Sequence, residues 1–387
     1  MTPGDPDWRR ERLDQLLAVA RGARTDHGFG WLLDDGSLDP ARPPELWITA
    51  RMTYVWSLVR EHDLAEHGVR ALREVFEDVE HGGWFDVSDG SDPAKRCYGH
   101  DFVLLAAATA SSAGVEGGSA LLDDAARVHR EHFWDPAAGR CVEEWSRDWT
   151  ALDGYRGANA NMHAVEAFLA TAAATGGVDW LDRALLIAER VVGVDARAHE
   201  WRVVEHFDAD WTPLPELNRD RPDDPFRPYG ATPGHALEWA RLLVELDLAL
   251  ADPPAWLVPA AESLAERAVD DALDDDHPLL PYTTDWDGTP VVAERFHWVM
   301  AEAVSAAESL AARTGRALHA GLAARWWAEI DEHVIDDDGS WRHELSPTLE
   351  PSSRTWTGRP DAYHAVNALT LPDRLGASSQ PGPKGSR

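Results

Sequence analysis

The sequence predicts an all-α protein, an (α/α)6 toroid of six helical hairpins with inner and outer helix rings, on three observations. Twelve segments repeat apolar residues with a 3.6-residue period and are rich in alanine and leucine. Long and short connections alternate between them, the weak internal repeat of stacked hairpins. Every second segment is apolar nearly all round, and a helix without a polar face is buried on every side. The even segments therefore form an inner ring of parallel helices, and the odd ones, each keeping a charged face, wrap around it.

In chain order the segments are 7–23, 46–63, 64–80, 96–114, 117–134, 157–175, 178–194, 230–251, 254–272, 293–314, 316–334 and 360–371. Short links at 63–64, 114–117, 176–177, 252–253 and 314–315 join partners within a pair. The long connections at 82–91, 134–149, 201–213, 281–290 and 336–341 place Asp-Gly or Ala-Gly between aromatic arms, and several read as short β-hairpins. No linker divides the chain, so residues 1–375 are expected to form one barrel domain. Residues 376–387 (GASSQPGPKGSR) have the composition of a disordered tail.

Composition narrows the function. With 387 residues, 44% hydrophobic and 27% charged, the chain can bury a sizeable core. Its 68 acids against 36 bases leave a net charge of −32, which repels nucleic acid and anionic lipid alike. No apolar run is long enough for a membrane span, and the first dozen residues are charged where a signal peptide would be apolar, so the expected compartment is the cytoplasm. The two cysteines, Cys97 and Cys141, lie outside any CxxC pattern and read as free thiols. GxSxG, GxxxxGK[ST] and a strand–GxGxxG–helix unit are missing. The 19 tryptophans call for a large core, a ring-shaped ligand such as a sugar face, or both.

Parallel inner helices gather their N-termini at one mouth. The polar residues near those starts then become neighbours: Arg51, Tyr98, Asn159, His163, Glu166, His235, Glu238, Trp298, Glu302 and His364. Burying such groups unpaired among Ala, Leu and Val would cost several kcal/mol each, so a polar ligand is expected there. The His-x-x-Glu spacings at His163/Glu166 and His235/Glu238 put imidazole and carboxylate on one helix face, where the acid can orient the ring. These pairs could offer four ligands to a metal, but no HExxH or EF-hand pattern supports one, and neither metal nor cofactor is expected. The positive end of a helix keeps imidazole neutral and therefore basic. Two such rings across C1–C2 of a sugar suit aldose–ketose isomerisation or C2 epimerisation through an enediolate, with Arg51 stabilising its charge and a third ring assisting ring opening. The inner-helix acids leave glycoside hydrolysis as the reading of another class, which needs two carboxylates facing across a cleft. Sugar binding without turnover is a third.

The runs ARMTYVWSL (50–58), RCYGHDFVLLA (96–106), RGANANMHAVEAFLA (156–170), FRPYGATPGHALEWARLL (226–243), FHWVMAEAVSAA (296–307) and WTGRPDAYHAVNA (356–368) resemble the N-acylglucosamine 2-epimerase family. The likeness spans residues 47–372. It implies an (α/α)6 barrel that isomerises or epimerises a free monosaccharide at C1–C2 without metal or nucleotide. D-mannose to D-fructose is the expected reaction, with 2-epimerisation or sulfoquinovose isomerisation as alternatives. By this resemblance His235 and His364 form the proton-transfer pair and His163 assists ring opening. Arg51, Tyr98, Asn159, Glu238, Trp298 and Glu302 hold hydroxyls or orient the histidines, Trp47 and Trp356 form walls, and the last hairpin contributes His343 or Glu344. Arg227, eight residues before His235, stands ready either for an anionic substituent or for a surface ion pair. A monomer or homodimer with no nucleic-acid or membrane partner is expected.

Overall fold

The computed structural model describes residues 1–272 and 278–378. Six inner helices, α2 (Leu46–Leu58), α4 (Cys97–Ala113), α6 (Ala158–Thr175), α8 (Pro233–Ala249), α10 (His297–Thr314) and α12 (Tyr363–Ser378), each pack on the next, and α12 returns to α2 to close the ring. The outer helices are α1 (Pro6–Ala20), α3 (His62–Glu74), α5 (Gly118–Val128), α7 (Val178–Ala188), α9 (Leu257–Ala272) and α11 (Ala317–Glu329). Each even helix packs on the odd helix that follows it, while α1 packs on α12, so the two chain ends complete the sixth pair. Wider helical turns extend α5, α7 and α11 through His129–Phe133, Glu189–Ala196 and Ile330–Val334. Among the described residues no helix is long and apolar enough to cross a membrane.

While the first N–H of α12, from Tyr363, donates to Asp361 Oδ1 at 2.8 Å, the other five inner helices begin without side-chain caps. Their first N–H groups would be orphaned, and backbone carbonyls of the next long connection satisfy them. Leu46, Cys97, Ala158 and His297 donate to the carbonyls of Asp86, Glu143, Glu205 and His343 at 2.9, 2.8, 2.9 and 3.2 Å. Ala231 exchanges two such bonds with Thr284, and Leu32 does so with Arg359. The two-residue strands are parts of this collar: Lys95–Arg96 pairs with Glu144–Trp145, Arg156–Gly157 with His206–Phe207, and Arg295–Phe296 with Glu344–Leu345.

Several boundaries differ from expectation. Segment 82–91 is no hairpin of its own: Trp84 bridges back to Glu77 and Val87 to Glu45, because the collar takes its aromatic arm. α8 and α10 start three and four residues later than predicted, since Gly230 at φ 93° and strand Arg295–Phe296 belong to the collar. α12 continues through Pro372 to Ser378, anchored to α1 by the ion pair Arg9–Asp373 at 2.7 Å. Its end enters the segment read as a tail, whose residues 379–387 lie outside the described ones.

Gly230 tests the collar. A Cβ there would stand 2.1 Å from the Thr284 carbonyl oxygen, and the left-handed backbone independently disfavours any side chain. Gly230→Ala is expected to cost about 2–4 kcal/mol, read as a lower melting temperature. An unchanged melting curve would show that this junction does not hold the ring.

Candidate active site

The collar surrounds a bowl of about 710 Å³ of free space. Its lining includes His163, His235 and His364 together with Arg51, Tyr98, Asn159, Glu238, Trp298, Trp47 and Trp356, so residues from six separate stretches converge as the sequence predicts. Trp356 stacks on Trp31 with centroids 5.6 Å apart, and Phe226 packs edge-on against Trp356 and Tyr98 across the mouth.

Two imidazoles share one arrangement. His235 Nδ1 lies 2.9 Å from Glu205 Oε1, and His364 Nδ1 lies 2.8 Å from Glu302 Oε1. A carboxylate accepts only, so each Nδ1 carries the proton and each Nε2 keeps its lone pair. Trp298 stands between the rings, with centroids 5.2 Å from His235 and 5.7 Å from His364. Gly234 admits that indole: a Cβ at Gly234 would lie 2.5 Å from it.

The His-x-x-Glu pairing is corrected by these contacts. His235 sits in the first turn of α8, and helical side chains lean toward the N-terminus, so its ring reaches the loop acid Glu205. Glu238 lies a turn deeper and instead meets Arg241 at 3.3 Å. His163 Nδ1 is 3.6 Å from Glu166 Oε2 and 3.8 Å from Glu238 Oε1, both too long for a hydrogen bond. Glu166 is held by the Tyr363 hydroxyl and by Arg241.

Beneath the bowl, Arg241 gathers four carboxylates: Nε donates to Glu302 at 2.9 Å, Nη1 to Glu245 at 3.1 Å, and Nη2 reaches Glu238 at 3.3 Å and Glu166 at 3.5 Å. Two sets of three donors with metal-like spacing occur here, His163/Glu166/Glu238 and Glu238/Glu302/His364. The guanidinium already supplies their cation, and Glu302 is committed on both oxygens. The cluster splits the carboxyl affinities: Glu166, beside His163, Arg241 and Tyr363, is drawn down to about 2, whereas burial and Glu302 push Glu238 well up. Glu166 and Glu302 do not line the bowl, so these acids do not face one another across a cleft as glycoside hydrolysis requires.

Arg51 donates to Asp361 at 3.1 Å and to the Tyr98 hydroxyl at 2.9 Å, and packs against the faces of Phe102, Tyr363 and Trp47. Its charge is thereby fixed at the bowl wall. Asn159 Oδ1, His163 Nδ1, Glu238 Oε2 and His343 Nδ1 are buried without a hydrogen-bond partner in the chain, a donor and acceptor set suited to sugar hydroxyls.

Burial, more than the helix dipole, keeps His163 and His364 neutral. It draws His163 down to about 4 and His364 well below the usual imidazole range, with Arg51 adding to both shifts. His163 in fact lies in the second turn of α6.

Arg227 is not part of the lining. It stacks on Tyr155, 3.9 Å from the ring centroid, in a groove that adjoins the bowl. The last hairpin supplies His343, whereas Glu344 is consumed by the backbone N–H groups of Arg354, Thr355 and Trp356. Sequence reading missed Glu205, His297, Asp361, Arg241 and Tyr363. Glu205 had a signal: Glu143, Glu205 and His343 occupy equivalent places before three of the inner helices, α6, α8 and α12, in CVEEW, RVVEHF and WRHEL.

The profile of the N-acylglucosamine 2-epimerase (GlcNAc 2-epimerase) family matches residues 28–368. A D-mannose isomerase of Thermobifida fusca is 46% identical over 379 residues, covering 94% of this chain and 93% of that protein. One of Pseudomonas cannabina pv. alisalensis is 42% identical over 385 residues, covering 96% and 93%. A crystal structure of a D-mannose isomerase superposes with a TM-score of 0.89 at 27% identity, covering 97% of this chain and all of that one.

Two outcomes follow from the geometry. Glu205→Gln keeps an acceptor for Nδ1 but removes the charge, and turnover should fall about 10- to 100-fold with an unchanged melting temperature; full turnover would disprove the anchoring role. His163 is neutral in the folded chain down to about pH 4, while an unfolded imidazole takes a proton below about 6.5. Its contribution to stability is therefore present above pH 6.5 and lost as pH falls toward 4. The stability of wild type relative to His163→Gln should drop by about 3 kcal/mol across that window, measured by denaturant titration at each pH; a constant difference would contradict the burial argument.

Proposed function

The chain belongs to the N-acylglucosamine 2-epimerase family, and on that premise we propose that it interconverts D-mannose and D-fructose. The observation that carries this reading is the pair His235 and His364, each anchored through Nδ1 on a carboxylate and each left with a basic Nε2 over one bowl. Isomerisation removes the proton at C2 of the open-chain aldose, protonates O1, then delivers a proton to C1 while O2 becomes the carbonyl. Electrons balance within the substrate, so the step needs no redox partner. His364 and His235 exchange these protons, and Arg51, positively charged at the wall, stabilises the enediolate. His163, neutral and with an unpartnered Nδ1, assists ring opening.

Tyr98, Asn159 and Glu238 receive hydroxyls, while Trp47, Trp298 and Trp356 present faces to the sugar ring. Glu302 acts through His364. The chemistry at the bowl is metal-independent, because guanidinium groups hold the positions where cations would serve.

Mannose incubated with the protein in D2O should give fructose with deuterium entering at the exchanged carbon, followed by NMR. Glucose in place of fructose would assign 2-epimerisation instead, and no exchange from mannose would reject the reading. His364→Ala and His235→Ala should each lower kcat about 10²- to 10⁴-fold with the helical circular dichroism preserved.

A further inference from the structure

Outside the bowl, the wall behind Tyr98 contains a second cluster of chemically active side chains. The two cysteines, 44 positions apart in sequence, meet there with His129. Cys97 opens α4, Cys141 ends the strand Arg140–Cys141, and His129 begins the wide turn after α5. One donor atom from each lies within 4.8 Å of the other two, and all three residues are at most 1% exposed. Asp101 stands alongside, with Oδ1 2.8 Å from His129 Nε2 and Oδ2 3.5 Å from Cys97 Sγ. Asn161 of α6 clamps the Cys141 backbone, accepting its N–H at 2.8 Å and donating to its carbonyl at 3.0 Å.

His129 uses Nε2 on Asp101, and its Nδ1 has no hydrogen-bond partner although the ring is buried against Phe133 and Phe168. A buried imidazole nitrogen left unpaired beside two thiols is costly as packing and well placed as a ligand. On one tetrahedral zinc ion, with Zn–S about 2.3 Å and Zn–N about 2.0 Å, two sulfurs lie about 3.8 Å apart and sulfur and nitrogen about 3.5 Å. Donor atoms already within 4.8 Å of one another would draw together to those spacings around the ion. Two thiolates neutralise a dication in a dry interior, and a carboxylate holding the far nitrogen of a ligating histidine is a usual support of such sites. The distance from Asp101 Oδ2 to Cys97 Sγ equals the roughly 3.5 Å that an oxygen and a sulfur keep on one zinc ion.

We propose that Cys97, Cys141 and His129, with Asp101 as support or fourth ligand, form a structural site for a thiophilic divalent cation, zinc. Binding forms two metal–thiolate bonds and one metal–imidazole bond and releases the two thiol protons, with no change of oxidation state. The ion ties α4, the end of α5 and the hairpin before α6 together. Through Tyr98, next to Cys97, it stiffens the bowl wall without touching the sugar, so the site does not depend on which sugar the protein turns over.

The site is closed, so the ion enters as the chain folds. The full-length protein is produced in media supplemented with zinc, supplemented with cobalt, or depleted of both, and metal is measured after purification. Zinc-grown protein should carry about one zinc per chain and melt about 5 °C above the depleted form. Cobalt-grown protein should show thiolate-to-metal charge-transfer absorption. Cys141→Ser and His129→Gln should lose the ion. Less than about 0.1 equivalent of zinc in the wild type, no thiolate–cobalt band, or equal metal in the variants would overturn the proposal.

Discussion

The architecture turns on the backbone hydrogen bonds that start the inner helices. Parallel helices in a ring point all their unsatisfied N–H groups at one end, where water is partly excluded, and five of the six have no side-chain cap. The next connection must therefore bend inward and offer a carbonyl, as Asp86, Glu143, Glu205 and His343 do. The residue that gives its carbonyl to the helix is thereby fixed at the rim. Capping and delivery of site residues become one structural act: Glu205 reaches His235 and His343 reaches the bowl because their main chains are already committed.

Below the rim, charge sets a second constraint. Three acids and one arginine are buried together, and removal of Arg241 would leave uncompensated negative charge in a low-dielectric interior. Arg241 divides its hydrogen bonds so that Glu302 keeps one oxygen for His364. The ring's tautomer is thus linked to the ion pair between Arg241 and Glu302. His235, held by a loop acid, is anchored from the opposite direction. Two bases with the same free nitrogen arise from unrelated supports, one in the collar and one in the core.

The fold was legible because it is written in periodicity: apolar helices alternating with amphipathic ones admit few arrangements besides two concentric rings. The bowl was legible because His163, His235, His364, Arg51 and Tyr98 are polar residues in segments that otherwise exclude them. The pairings were less legible. His235 and Glu238 are one turn apart, yet the direction in which helical side chains lean sends the first toward the loop and the second toward Arg241. Spacing places residues on a face and leaves open which neighbour from another segment arrives there. Arg227 shows the same gap, since Tyr155 captures it before it can enter the bowl. Cys97, Cys141 and His129, from three segments with no shared motif, were invisible to any local pattern.

Neutral imidazoles at ordinary pH have a specific origin here. A helix N-terminus would account for His364 but not for His163, which lies a turn further in. Desolvation acts on His163 and His364 alike, and Arg51, the one cation among the described residues of the bowl wall, opposes a second positive charge. The arrangement suits an enediolate pathway. Arg51 offers permanent charge to the anion that forms, and that same charge keeps the nearby bases unprotonated beforehand. Guanidinium is the group for this task, since lysine, with its lower proton affinity, could lose its charge in such a site.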